Sequence, residues 1–542
     1  MNNESMINLK TSLLLIILTI AFSSLGKNIH IPLLQGEKIW SGIIKEGESM
    51  PHKSGYSFDF YANNRSNQIN PLLVSNKGLW VWSEDPFKFE ILEDKIIISK
   101  YRGDVKYGRE GNSLASAREY TSAMFFPASG KMPDQILFEQ PQYNTWIELT
   151  YNHNQADILK YAKSIITNGF KPGVLMIDDT WQEDYGLWDF HPGRFPNPKK
   201  MMDELHQLGF KVMLWICPFV SADQAMIMRE LKKKKAFYMQ KQTPATTWQT
   251  ALAPSIISWW NGYSAVLDFS NHAAVEWFEK QLDFLVDKYG VDGFKFDAGD
   301  TMFYPENSLS NENVTPNRQS ELFAQFGLKY PLNEYRACWK MAGQPLAQRL
   351  HDKNHRWNDV QKLIPQMLIE NLAGYTFSCP DMIGGGDWES FIDLKKLDQE
   401  LVVRSAQVHA LMPMMQFSVA PWRVLDDRHL KAVKAAVDLR EKYIPYIMTW
   451  VEKSAKTGVP IIAHMEYYFP NQGYENIIDQ FMLGDKYLVA PVVEKGIEKR
   501  SVVLPKGVWI NCLTGKRIKG GRTIEYVVGL EVLPVFELLK KY

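Results

Sequence analysis

The chain has 542 residues, 45% hydrophobic and 23% charged, which fits a large globular protein of several domains or one barrel with additions. Lys plus Arg and Asp plus Glu are balanced at 61 each, which argues against an electrostatic nucleic-acid binder. The run of lysines at 232–235 reads as a solvated helix face, and the 17 Trp leave room for stacking against sugars.

In chain order, Lys10 precedes an apolar run from Leu13 to Phe22, followed by the small residues Ser23, Ser24 and Gly26. This is the pattern of a secretory signal peptide over residues 1–26. The run is shorter than the ~18 residues of a spanning helix, so cleavage is favoured over a signal anchor. Export to a periplasmic or extracellular location is expected, with no stable membrane insertion after cleavage.

Residues 27–145 carry short Val-, Ile-, Tyr- and Phe-rich stretches between Gly, Asn and Asp, as in GLWVWSEDPFKFEILEDKIIISKYR. This predicts an antiparallel β-sandwich. From Trp146 the pattern changes. TWIELTYN reads as a strand, NQADILKYAKSIITNGF as an amphipathic helix, GVLMIDDTW as a strand, NPKKMMDELHQLGF as a helix and KVMLWICPFV as a strand. The helix AAVEWFEKQLDFLVDKYG then leads into VDGFKFD. The alternation runs to about residue 445, which predicts an α/β fold, a (β/α)8 TIM barrel over 146–445. Short strands with Gly and Pro turns then predict an all-β domain over 446–542. Cys217, Cys338, Cys379 and Cys512 are far apart and read as free thiols rather than a disulfide or zinc framework. Asn64 and Asn313 lie in glycosylation sequons, relevant to a eukaryotic source.

In a barrel the chemistry sits at the C-terminal ends of the strands. Those ends are rich in acids: Asp178 and Asp179, Asp297, and Asp381, with Asp352 in the loop between the last two. Each alone could cap a helix. Their convergence on one face is the stronger signal. Lys295 and Asp297 share one face of their strand, and a buried pair of this kind is either structural or functional. No phosphate loop, dinucleotide fingerprint, serine elbow or zinc motif is found, so neither a cofactor nor a metal is implied. Two carboxylates suffice for glycoside hydrolysis.

Several stretches carry a resemblance to glycoside hydrolase family 31, the retaining α-glycosidases. They are WDFHPGRFPNPKKMMDELHQLGFKVMLWICP, WWNGYSAVLDFSNHAAVEWF and DQFMLGDKYLVAPVVEKG followed by LPKGVWINCLTG. The resemblance places the nucleophile at Asp297 in GFKFDAGD. The family acid/base lies in a Trp-x-Gly-Asp-Asn motif with a Trp five residues on. Here HDKNHRWNDVQKLIPQML puts Asp352 five before Trp357, although the Trp-x-Gly part is missing, and Asp359 is the competitor. Arg336, sixteen before Asp352, would hydrogen-bond the sugar. Asp178, with Asp179 beside it, would hold the hydroxyls of the non-reducing sugar. Trp215, Trp260 and Trp181 would line the pocket, Lys295 would keep Asp297 charged, and Asp381 and Gln416 complete the expected substrate-binding set. The resemblance implies double displacement, which needs Asp297 ionised and Asp352 protonated, in environments that push the two apart.

One departure concerns the sugar. Family glucosidases carry Arg-Asn-His after the eighth strand. PMMQFSVAPW here has Gln416 and Ser418 and no His. This stretch, KFDAGD and PDMIGGG resemble the branch that contains the myogenesis-regulating glycosidase, associated with α-galactosides. An α-galactoside or related oligosaccharide is therefore the expected substrate. An α-glucosidase or α-xylosidase, a non-catalytic glycan-binding protein, and a lyase or transglycosylase on the same scaffold are the alternatives.

Overall fold

In the computed structural model, residues 28–242, 251–305 and 307–541 are described. The signal-peptide reading falls on residues outside this set. Among the described residues no helix is long and apolar enough to cross a membrane.

The N-terminal part folds as two antiparallel sheets. One orders Ile29–Pro32, Lys95–Ser99, Lys88–Ile91 and Ser57–Asp59, and the other Ile39–Ile43, Gln68–Ser75, Leu79–Ser83 and Val105–Arg109. Alternation drives this packing: in Lys95–Ser99 the side chains of Ile96 and Ile98 are buried while their neighbours are half-buried. A helix over Leu114–Phe125 interrupts the expected all-β region. Ser113 and Ser116 form a reciprocal capping box at its start, and Phe125 stacks on Trp82 with ring centroids 5.5 Å apart.

Eight parallel strands then form the barrel. They are β1 Gln142–Asn144, β2 Val174–Ile177, β3 Lys211–Ile216, β4 Gly293–Phe296, β5 Leu332–Tyr335, β6 Gln348–Arg349, β7 Ser378–Cys379 and β8 Gln416–Phe417. Their order is 7-6-5-4-3-2-1-8, and a parallel bridge from Ile383 to Phe417 joins the two edges. The first strand lies earlier than expected. Asn144 Oδ1 accepts from the Trp146 amide, and the stretch read as a strand from Thr145 is a helical turn, Trp146–Leu149.

Seven helices cover the barrel: α1 Gln155–Thr167, α2 Pro198–Gln207, α3 His272–Tyr289, α4 Pro316–Phe326, α5 Trp357–Leu372, α6 Gln399–Ala410 and α7 Asp427–Thr457. Side-chain caps fix several starts, among them Asn154, Asn197, Asn271 and Thr315, with Pro at the first turn of α2 and α4. The connection from β5 to β6 has no helix. Instead Cys338–Trp339 pairs in parallel with Gln68–Ile69, adding a strand to the second N-terminal sheet. Gln68 also donates to the carbonyls of Tyr335 and Arg349, so the N-terminal sheet is anchored at the ends of β5 and β6.

Helix α7 runs through the boundary expected at 445/446, because Pro445 sits inside it without ending it, and Gly458 at φ +73° caps it. The remaining chain is β-rich. A six-stranded sheet orders Ile462–Ala463, Phe481–Leu483, Tyr487–Val489, Val535–Lys541, Gly507–Asn511 and Arg517–Lys519. The pair Lys499–Leu504 and Arg522–Val527 packs beside it over a core that includes Trp509, Phe536 and Met482. All four cysteines are free thiols, with Cys512 exposed and the others buried.

Candidate active site

Asp297 follows β4, and its backbone amide continues the ladder to Ile216. The carboxylate is buried and held by three donors. Arg336 Nε at 2.8 Å and the Ala298 amide at 2.7 Å reach Oδ1, and Trp215 Nε1 at 3.0 Å reaches Oδ2. Burial alone would raise its pKa. The Arg336 guanidinium, then Lys295, outweigh burial and hold the carboxyl well below the usual range. Ala298 takes φ +62°, a left-handed conformation that costs a non-glycine residue about 1–2 kcal/mol and lets its amide turn back onto Asp297. Arg336 is itself fixed by Asp300 at 2.6 and 3.2 Å and by the Ser66 carbonyl at 3.0 Å. The Trp260 ring, half exposed, lies 5.9 Å from its guanidinium carbon.

Lys295 is placed otherwise than expected. Its ammonium bonds Asp178 at 2.7 Å, and its effect on Asp297 is through space. Asn144 Nδ2 adds a 2.6 Å bond to the same Asp178 oxygen. Next door, Asp179 receives Tyr185 Oη at 3.0 and 3.1 Å, the Thr180 amide at 2.6 Å and Asn261 Nδ2. Burial, and then the charge of Asp178, push Asp179 up to about 7. Asn261 sits beside Trp260 at the tip of a hairpin, Ile256–Trp259 and Gly262–Val266, so one turn reaches both sides of the site.

Asp352 lies on the loop after β6, with its side chain about 49% exposed. Arg349 Nη1, wholly buried, bonds its Oδ1 at 2.7 Å. Gly386 backs the other oxygen so closely that a Cβ there would lie 2.7 Å from Oδ2. Burial would raise the Asp352 carboxyl, but Arg349 and then Lys295 hold it well below the ordinary range. The free protein therefore pushes both carboxyls down, where opposite shifts were expected, because one cationic cluster serves both.

Two expected pocket residues act from behind. Asp381 has no exposed side-chain surface; it bonds Arg349 Nη1 at 2.6 Å and the Lys353 amide at 2.7 Å. Gln416 is fully buried and donates to Gln142 at 2.9 Å and Glu334 at 2.7 Å. Ser418 turns its hydroxyl to the carbonyls of Gly385 and Ile383. Trp181 is core, donating to the Trp215 carbonyl. Asp359, the competitor of Asp352, accepts the Asn354 amide at the start of α5 and pairs with Lys362. Asp292, before β4, serves the turn, accepting from the Val212 amide and pairing with His206.

The N-terminal sheets supply a wall of the site that sequence reasoning missed. Ser66 reaches Arg336, Asn67 accepts the His351 amide at 3.1 Å, and Asn64 bonds the Gly299 carbonyl and Thr301. Asn64 is 2% exposed, which closes that sequon in the folded chain. Ala62, Arg65 and Ser66 all have φ between 51° and 55°, a run of left-handed backbone that shapes this loop. Arg349, Glu334, Asn144 and Tyr185 were also missed, since none belongs to a quoted motif, and so was Asn261, which lies in WWNGYSAVLDFSNHAAVEWF but carried no role there.

Residues 137–450 match the family model for the glycosyl hydrolases family 31 TIM-barrel domain, and residues 458–537 match the family 31 C-terminal domain. The chain belongs to glycosyl hydrolase family 31. This family 31 chain is 32% identical over 412 residues to the mouse myogenesis-regulating glycosidase, covering 74% of the chain and 56% of that protein. It is 24% identical over 503 residues to the α-xylosidase XylQ of Lactiplantibacillus pentosus, covering 84% and 60%. The chain spans about half the length of the curated relatives it matches. Among solved structures, a Flavobacterium johnsoniae family 31 dextranase complexed with glucose superposes with a TM-score of 0.82 at 19% identity, covering 94% of this chain and 66% of that one. A soil-metagenome α-xylosidase complexed with xylose gives 0.81 at 20% identity, covering 94% and 79%. At these identities the likeness is one of fold.

Proposed function

We propose that this family 31 chain is a retaining α-glycosidase acting on terminal α-linked sugars, with α-galactosides as first choice. The observation that supports it best is the pairing at the barrel mouth. Asp297 is held ionised by Arg336 and Trp215, while Asp352 stands half exposed on the neighbouring loop, able to meet a leaving oxygen. In the first step Asp297 attacks the anomeric carbon, the glycosidic C–O bond breaks, and the leaving oxygen takes the Asp352 proton. In the second, Asp352 takes a proton from water as the water oxygen bonds that carbon and Asp297 leaves. Asp178 and Asp179, with Tyr185 and Asn261 behind the latter, form the polar end suited to the sugar's non-reducing hydroxyls.

The galactoside choice rests on the missing His after β8 and on the 32% identity to the myogenesis-regulating glycosidase. An α-glucoside or α-xyloside is the second reading, supported by relatives named α-glucosidase and α-xylosidase. Export is proposed from the apolar run Leu13–Phe22 alone. A panel of aryl α- and β-glycosides tests the whole reading. Turnover of an α-glycoside with retention, abolished in Asp297→Ala, is expected. Sugar binding without turnover would mark a glycan-binding protein, an unsaturated product a lyase, and an elongated product a transglycosylase.

A further inference from the structure

Arg349 stands three residues before Asp352, at the place of the Trp in the family's Trp-x-Gly-Asp motif. It is completely buried, and its guanidinium is the hub of a chain across four strands. Nε donates to Glu334 on β5 at 3.0 Å, and the other Glu334 oxygen accepts Gln416 of β8. Nη1 is shared between Asp352 at 2.7 Å and Asp381, after β7, at 2.6 Å. Nη2 has no hydrogen-bond partner among the described residues. Asp381 holds φ +75°, and its second oxygen takes the amide of Lys353, the residue after Asp352. Both the side chain and the backbone of the acid/base loop are thus tied to one buried Arg–Asp pair.

We propose that Arg349 is the positioning residue of Asp352, fixing its carboxylate in one orientation through the Nη1 that it shares with Asp381. The inference rests on the reading of Asp352 as acid/base. Other charges also face Asp352: Lys295 and Asp297 from β4, Arg336 after β5, and His351 and Lys353 in its own loop. Of the cations among them, Arg349 lowers its pKa most.

The consequence is an asymmetry between the two half-reactions. Water activation uses the ionised carboxylate that Arg349 favours. Leaving-group departure needs the proton that Arg349 disfavours. A group whose pKa is depressed is protonated only below the lowered value. For a poor leaving group, kcat/KM therefore rises as pH falls from neutrality, and its alkaline limb belongs to Asp352. Removing Arg349 moves that limb upward. Burial pushes the Asp381 carboxyl up to about 7, so it is uncharged where Asp352 titrates and leaves the limb to Arg349.

The test is the pH profile of kcat/KM for a phenyl α-glycoside accepted by the wild type, with the dinitrophenyl analogue, which needs no proton, as reference. Arg349→Gln is expected to shift the alkaline limb up by about one pH unit or more. Arg349→Lys should stay near the wild type, and the dinitrophenyl substrate should show no shift in either variant. A limb unmoved in folded Arg349→Gln, or in Arg349→Met where the Gln variant fails to fold, overturns the proposal. If the wild type turns over no glycoside, the functional reading has failed first. A double-mutant cycle of Arg349→Gln and Asp352→Asn in Tm at pH 7 then reads the pair directly, non-additivity supporting it and additivity overturning it.

Discussion

The Lys295 ammonium lies 2.7 Å from Asp178, joining β4 to the end of β2, and both side chains are about 6% exposed. A strand that carries a lysine and an aspartate two apart has used them for different tasks. Lys295 neutralises Asp178 directly and acts on Asp297 only through space, while Arg336 and Trp215 bond Asp297. Breaking a buried pair from one side costs about 3–5 kcal/mol, because the remaining charge is stranded. Lys295→Met should therefore lose stability of that order in chemical denaturation. The double variant Lys295→Met/Asp178→Asn should recover much of it without recovering activity. Equal destabilisation in both would show that the pair is not the unit that matters.

Arg336 should reveal itself through the acidic limb. It holds Asp297 low, so in the wild type that carboxyl stays ionised well into the acidic range. Arg336→Gln removes that cation, and the Asp297 pKa rises. Activity present above the new pKa is then lost as pH falls through it. An acidic limb should appear in kcat/KM near the ordinary carboxylate range of about 4, with kcat lower by about 10²–10³-fold. A profile parallel to wild type would remove Arg336 from the control of Asp297.

Much of this architecture was legible in the sequence because periodicity reports local burial. The helices at Gln155–Thr167, Pro198–Gln207 and His272–Tyr289 and the strands between them follow directly from apolar spacing and caps. The acids at strand ends were legible because a barrel exposes those ends. Other features were not. The helix Leu114–Phe125 is flanked by strands and carries Thr and Ser in its interior, so propensity was a weak guide. Helix α7 carries Pro445 in its interior and runs past the expected 445/446 boundary, so the helical pattern there outlasted the change in composition. The partners of the acids were hidden for a deeper reason: Lys295 with Asp178, and Arg349 with Asp381, lie far apart in sequence and meet only where the closed barrel gathers its strand ends. The wall from Asn64, Ser66 and Asn67 depends on how the N-terminal sheet docks, which no local pattern encodes.

That wall should matter to the chemistry. Asn64 donates to the Gly299 carbonyl and is buried against Thr301, within the turn that runs from Asp297 to Asp300. Asn64→Ala removes one of two donors to that carbonyl, Ser320 Oγ keeping the other at 2.6 Å, and the lost hydrogen bond costs about 0.5–1.5 kcal/mol. It should also lower kcat more than it changes KM, since the Asp300–Arg336–Asp297 chain loses its outer support. A variant that loses stability alone, with kcat intact, would reduce the wall to scaffolding.

Asp179 provides a measurement that needs no substrate. Burial and the neighbouring Asp178 raise its carboxyl to about 7 in the folded protein, against about 3.9 in an unfolded chain. The folded state thus binds a proton that the unfolded state releases between those values. Stability is fully present below about pH 4 and declines as pH rises toward 7, above which the ionised carboxylate remains buried beside Asp178. Asp179→Asn keeps the shape and removes the charge, and Asn261 can turn its amide to restore the hydrogen bond. The variant should match the wild type in Tm near pH 4 and exceed it near pH 8, with the gap opening across the interval between. A gap of constant size would assign the difference to packing or to the lost hydrogen bonds of Tyr185, and would separate Asp179 from the charge of Asp178.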